Sequence, residues 1–430
     1  MALTNMAPRE RLDDDRDAAQ SAVRALSAAM VILVLAPPGV LPSTAKGVVV
    51  AVVLIILATG LWRARHLVRV GRASFLVFFA SVAPLPMLLT YGDFNGLLAV
   101  VSLTALSVAV VQCAEIQGER GVRTLVRMLL GVGLFELVVA ALQAASGSPA
   151  TWGYLGDRVS AVIGYNPLIS IVGGRALGTM GHPIPLGMLF SSCLVLVVAG
   201  RAWLSGGERL VLFAAFALGL GLTGTRSAVI AAAVGLITVM ITRAAGSWSH
   251  AMRFLAAAAV VTLLAVTDLR ESIFFQSLDG SFSVNHRLSS IESVAHLMAR
   301  PVLEVLFGSG FGSATELYAR GILIADGQNA IDNQFVLAMA AGGLLGLGTL
   351  TALCLLLLRR AMPSLRPVLL SQMFMLVVFD MSAWQSSWML LLVVGCVGSA
   401  VDREVEGRPS AVTPRGGAAE FARTSRKRRS

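Results

Sequence analysis

The chain has 430 residues, 56% hydrophobic and 13% charged, with a mean hydropathy of +0.78. A soluble globular domain carries about 25% charged residues, so this composition excludes that class and points to an integral membrane protein. The formal net charge of +10 raises nucleic acid as a partner, but its distribution along the chain argues for a different cause.

The first segment, 1–20, is charged, short of large apolar side chains, and reads as a solvated cytoplasmic tail. Its run from Asp13 to Asp15 lies outside the expected folded core. Apolar runs long enough to cross about 30 Å of hydrocarbon as helix then recur along the whole chain. They predict helices at about 23–42, 45–62, 73–90, 94–114, 124–145, 183–200, 209–223, 227–242, 252–268, 333–358, 367–383 and 386–401. The first contains Pro37 and Pro38, and the seventh and eighth are short and meet at a tight turn from Thr223 to Ser227. No small-residue cleavage site follows the first run, so that helix is expected to be retained. Residues 403–430, ending in RTSRKRRS, read as a disordered basic tail near anionic lipid. The expected fold is all-α, a polytopic membrane helical bundle of about twelve transmembrane helices occupying 21–402.

With the N-terminus placed inside, about 26 of the 34 basic residues fall in cytoplasmic segments, as the retention of Lys and Arg on that side requires. Both termini are then cytoplasmic, and 146–182 and 269–332 are long segments facing out. The net charge reports membrane orientation, and nucleic acid is not expected as a partner. Lys46, Arg158, Arg175, Arg226, Arg270, Arg287, Arg300 and Arg320 remain on the outer side. These exceptions need local reasons. Cys113, Cys193, Cys354 and Cys396 fall in apolar runs and read as small buried hydrophobes.

Arg175, Arg226 and Arg287 are the main substrate-binding candidates. A guanidinium is permanently charged and grips phosphate through two parallel hydrogen bonds, so converging arginines can hold a diphosphate without metal. Arg226 is the sharpest case, because it stands in the apolar run LGLGLTGTRSAVIAAAVG, where an uncompensated charge is costly. The competing reading for all three is snorkelling to lipid headgroups or a structural ion pair. His182, in RALGTMGHPIPLG, precedes Pro183 at the head of a helix and suits either proton transfer or helix capping. No HxH or HExxH spacing supports a metal site.

In the 269–332 segment, Leu288, Ile291, Ala295 and Met298 recur at helical spacing. This predicts an amphipathic helix over 286–300, ended by Pro301, with its apolar face on the helix bundle or the bilayer surface. FGSGFGS at 307–313 would let backbone approach a ligand closely, whereas Gly342, Gly343, Gly346 and Gly348 read as close helix packing. The segment ends at Asp332 and Asn333, residues suited to helix capping and, for the carboxylate, to orienting or deprotonating a hydroxyl nucleophile.

RALGTMGHPIPLG, LTGTRSAVIA, HRLSSIESVAHLMARPVLEVLFGSGFGSA and DNQFVLAMAAGGLLGL, in this order over roughly 170–350, resemble the superfamily of O-antigen ligases and O-antigen or exopolysaccharide polymerases. The large outer loop between the ninth and tenth helices extends the similarity. The resemblance implies a metal-independent membrane glycosyltransferase without soluble cofactor. It would take glycan from an undecaprenyl-diphosphate donor outside the cytoplasmic membrane and transfer it to a sugar hydroxyl. Arg175, Arg226 and Arg287 would clamp the diphosphate. Asp332 and Asn333 would stand where ligases typically carry His-Asn, and Asp332 in place of His tilts the expectation toward a polymerase, with His182 a possible substitute base. The implied partners are the lipid-linked glycan, membrane lipids and other polysaccharide-assembly proteins. A transporter is the alternative from another class, with Asp380 near Trp384 as its intramembrane polar feature.

Overall fold

A computed structural model of the protein describes residues 8–68, 71–82, 94–147, 166–169, 174–201, 203–243, 282–325 and 330–397. The described residues form helices α1 (Pro8–Leu35), α2 (Ser43–Arg63), α3 (Arg72–Val82), α4 (Phe94–Glu115), α5 (Glu119–Ser146), α6 (Pro183–Ala199) and α7 (Gly206–Thr223). There follow α8 (Arg226–Arg243), α9 (Phe282–Met298), α10 (Val302–Phe307), α11 (Ala314–Ala319), α12 (Gln334–Arg360), α13 (Arg366–Val378) and α14 (Gln385–Cys396). No strand occurs among the described residues. Six helices, α1, α2, α4, α5, α7 and α12, have the length and apolar content to cross a membrane, and α6, α8, α13 and α14 are shorter apolar helices. The protein is an all-helical, multi-pass membrane protein. The ninth predicted span, 252–268, and the tail 403–430 lie outside the described residues.

Helix α1 begins at Pro8, inside the segment read as a tail. Proline is favoured at a first helical position, and no further proline interrupts the sequence until Pro37. The charged stretch therefore continues the first membrane helix outward, and Asp15 meets His66 at 3.0 Å.

Helix α6 is apolar all round and buried around nearly its whole circumference, as is α14, which marks both as core helices. α6 packs on α7, α8 and α13, while α14 lies against α4. Small residues let these helices close up: Phe190 of α6 sits over Gly219 of α7, and Phe216 of α7 over Gly133 of α5. Peripheral helices instead expose Val48, Ile55, Phe75, Leu210 and Val211, surface that only a lipid environment makes favourable.

The bundle has two distinct poles. At one, Arg360 at the end of α12 meets Glu115 at the end of α4 at 2.5 Å, and Glu208 lies beside Arg127. At the other, Gly39 packs on Ala383 and Trp384, and Gly181 on Val40. The loops after α1, before α6, between α7 and α8, and between α13 and α14 thus gather at this second pole.

Helices α9 and α12 each add a detail that the sequence does not show. Helix α9 turns Ser290, Ser293 and Leu297 inward, while Ile291 and Met298, on the predicted apolar face, are 51% and 48% exposed, as a face turned to the bilayer surface would be. The serines win the inner face because they are small and useful: Ser293 Oγ accepts from Ile324 N at 2.9 Å and donates to Ser289 O at 2.7 Å. Helix α12 is interrupted at Gly343, whose φ of 62° and ψ of −155° leave the helical region. Val305 and Leu306 press their backbone against that glycine, so the glycine run serves the approach of a loop as well as of helices.

Candidate active site

Helix α5 builds one wall of the second pole. Glu136 and Gln143 are seven residues apart, so they share a helix face, and both reach the loop 174–182. The Glu136 carboxylate accepts from Thr179 N at 2.9 Å and from the Thr179 hydroxyl. Gln143 Oε1 accepts from Leu177 N and Gly178 N at 3.0 and 2.9 Å, and its Nε2 donates to Gly178 O at 3.0 Å. Gly178 has φ of +58°, and a Cβ there would lie 2.2 Å from Glu136 Oε2. Only glycine fits this staple.

The same loop is tied to the end of α7. Ala176 N donates to Leu222 O at 2.9 Å, and the Asn166 amide donates to Gly221 O and Leu222 O. Arg175 then places Nε 2.9 Å from Thr223 O and Nη2 3.0 Å from Thr225 Oγ1. The Thr225 hydroxyl in turn donates to Pro183 O at 2.9 Å. Arg226 is the next residue, the first of α8. Two of the predicted arginines are thereby held at one helix N-terminus, where backbone N–H groups and the helix dipole favour an anion.

His182 caps α6, with Nδ1 accepting from Ile184 N at 3.2 Å. Its ring clusters with those of Phe379, with centroids 6.4 Å apart, and Trp384, at 5.1 Å. Burial, helped by the charge of Arg175, pushes its pKa down to about 3. The ring is therefore neutral at physiological pH. Because Nδ1 accepts, the proton is assigned to Nε2, which leaves His182 able to donate a hydrogen bond there.

Asp380, in the turn between α13 and α14, supplies the carboxylate beside this ring cluster. Its Oδ1 accepts from Ser382 Oγ at 2.8 Å and Ala383 N at 3.1 Å. Burial lifts its pKa to about 6 against those hydrogen bonds, and the charge of Asp332 adds to the lift. The two carboxylates are thus electrostatic neighbours. Gln334 fastens the two strands of chain that carry them, accepting from Ser382 N at 2.9 Å and donating to Ser382 Oγ at 3.3 Å. Asn333 is an N-cap whose Oδ1 accepts from Phe335 N and Val336 N at 2.9 and 3.2 Å. From Gln334 and Ser382 an apolar cleft continues along α12 past Leu337, Ala341 and Gly346 to Leu350, walled by Phe311 and Trp388.

The structure therefore brings together Arg175, Arg226, His182, Asp332 and Asn333. Arg287 lies in the early turns of α9, and its side chain is outside the described residues. Glu136, Gln143, Gln334 and the catalytic potential of Asp380 were missed by the sequence reading. For Glu136 and Gln143 the signal was a polar residue in an otherwise apolar run, LLGVGLFELVVAALQ.

Residues 210–351 match the family model described as O-antigen ligase, a stretch that runs from α7 through the break in α12 and includes Arg226, Arg287, Asp332 and Asn333. Among curated proteins, none matches the chain. Arg175, His182 and Asp380 fall outside the matched stretch, and the fold brings them to it. This match, set in a helical membrane architecture, supports a place in the O-antigen ligase superfamily of ligase- or polymerase-type membrane enzymes.

Proposed function

We propose that the protein is a membrane glycan polymerase that joins undecaprenyl-diphosphate-linked repeat units at the outer face of the cytoplasmic membrane, in surface or exopolysaccharide synthesis. The observation that carries this reading is the pairing, at one pole, of a fixed arginine anion site with a carboxylate whose pKa is raised to about 6. Arg175 and Arg226, with Arg287, bind the diphosphate of the donor and hold the charge that develops on it as it leaves. The polyprenyl chain follows the apolar cleft along α12. Asp380, with Asp332 beside it, orients the acceptor hydroxyl and takes its proton as the oxygen attacks the anomeric carbon. The bond from that carbon to the diphosphate oxygen breaks, and undecaprenyl diphosphate departs with the electron pair. The neutral His182 donates a hydrogen bond at the same place.

Asp332, at the position where ligases typically carry His, favours a polymerase over transfer to a different acceptor. Besides Asp380, the interruption of α12 favours a transporter, since discontinuous helices line many transport sites. Its freed carbonyls already have donors from the protein, which weighs against an ion site there.

The test is purified protein in lipid, supplied with an undecaprenyl-diphosphate glycan. Longer chains and released undecaprenyl diphosphate are expected; unchanged glycan with folded protein and the matching repeat unit would sink the polymerase reading. Arg226→Ala and Arg287→Ala should abolish turnover while the protein stays in the membrane. Active variants would refute the clamp, and solute movement without bond formation would favour transport.

A further inference from the structure

We infer that Arg300 is a positioning residue: it holds open the break in α12 and so sets Asp332 and Gln334, at the head of that helix, in register with Asp380. Its structural half rests on hydrogen bonding alone, and its catalytic half rests on the glycan-transfer reading.

A helix that stops at Gly342 leaves the carbonyls of its last turn without intrahelical partners, and burying such groups unpaired is costly. Arg300 is only 7% exposed and lies against them. Its Nη2 donates to Met339 O at 3.0 Å and its Nη1 to Ala340 O at 3.2 Å, while Nε is held by Leu297 O at 2.9 Å. Ser309 N and Gly310 N add donors to Ala340 O and Ala341 O at 2.8 and 3.0 Å. The approach is backbone to backbone. A Cβ at Gly308 would lie 2.2 Å from Ala341, and one at Gly343 would lie 2.5 Å from Leu306. The segment FGSGFGS thus meets helix backbone at Gly308, and the outward Arg300 is explained by the orphan carbonyls it covers.

The guanidinium suits this task because its planar fork reaches several acceptors at once, which the point charge of lysine cannot. The Ser309 hydroxyl accepts from Arg300 Nη1 at 2.7 Å and donates to Glu304 at 3.1 Å, which fixes the fork's direction. Fewer than two helical turns separate the capped carbonyls from Gln334, whose side chain grips Ser382 and through it Asp380. If the cap is removed, those carbonyls regain the option of bonding across Gly343. The outer segment then tilts, and the carboxylates lose their register.

The experiment uses the full chain in lipid nanodiscs with Arg300→Lys and, as a milder variant that guards against misfolding, Ser309→Ala. Amide hydrogen exchange over 335–341 should quicken in both. With an undecaprenyl-diphosphate glycan donor, kcat should fall about 100-fold for Arg300→Lys, the scale of a 1 Å misplacement, and less for Ser309→Ala. Donor KM should hold, and the acid limb of the pH profile should shift. Arg226→Ala, by contrast, should lose donor binding. Unchanged exchange, or faster exchange with unchanged kcat and pH profile, overturns the inference, as does a loss confined to KM. If the wild-type protein extends no lipid-linked glycan, the glycan-transfer reading fails separately, and unchanged exchange in Arg300→Lys still overturns the capping half.

Discussion

In the proposed reaction Asp380 takes the base role that the sequence pointed to at Asp332 or His182. The histidine has the residue type of a base, but its Nδ1 serves the helix cap and its pKa sits at about 3. The aspartate, read from the sequence only as a feature suited to a transporter, carries the pKa of about 6 that a weak base needs near neutrality. The sign of the pH effect follows. Below about pH 6 the Asp380 carboxyl is protonated and cannot take the acceptor's proton, so the rate should fall as pH drops through that value and level off above it. Asp380→Asn should lower kcat by about 10²- to 10⁴-fold and abolish that limb in a pH–rate profile; a preserved limb would assign it to another group. Arg175, Arg226 and Asp332 were legible because charge in an apolar or outward setting stands out. Asp380 was not, because its importance comes from a turn that folds back on Gln334, 46 positions earlier.

At the level of elements, hydropathy located the described membrane helices well, since crossing hydrocarbon imposes length and apolarity directly on sequence. It left open which of two allowed partners a given face would take. On α9 the larger side chains Ile291 and Met298 face outward while Ser290 and Ser293 pack inward, because close approach to α12 rewards small residues. The break at Gly343 was equally hidden, since a glycine run has the same appearance whether it accepts a helix or a loop. The loop 174–182 gives the sharpest test of local design. Gly178→Ala should cost about 1–3 kcal/mol for backbone strain at positive φ and more through its clash with Glu136. Thermal unfolding of the purified protein checks this, and an unchanged midpoint would mean that the staple yields.

For the whole molecule, basic residues concentrate at the pole opposite the candidate site, where Arg63, Arg201, Arg209, Arg359, Arg360 and Arg366 lie at helix ends. That asymmetry predicts the orientation. In intact cells a membrane-impermeant maleimide should label a cysteine placed at Glu316 and leave one at Arg201 unlabelled, and the reverse pattern would turn the protein over. A last consequence follows from the stapling of loop 174–182 to α5, α7 and the end of α1 through Thr179. A loop clamped on three sides has little travel of its own, so in the proposed reaction successive additions are accommodated by the reactants. The tethered sugars would glide in from the surrounding bilayer, react against a stationary anvil and slide out along the same plane. Rapid-mixing records of donor binding should then show one concentration-dependent phase, with no slower step from rearrangement of the protein.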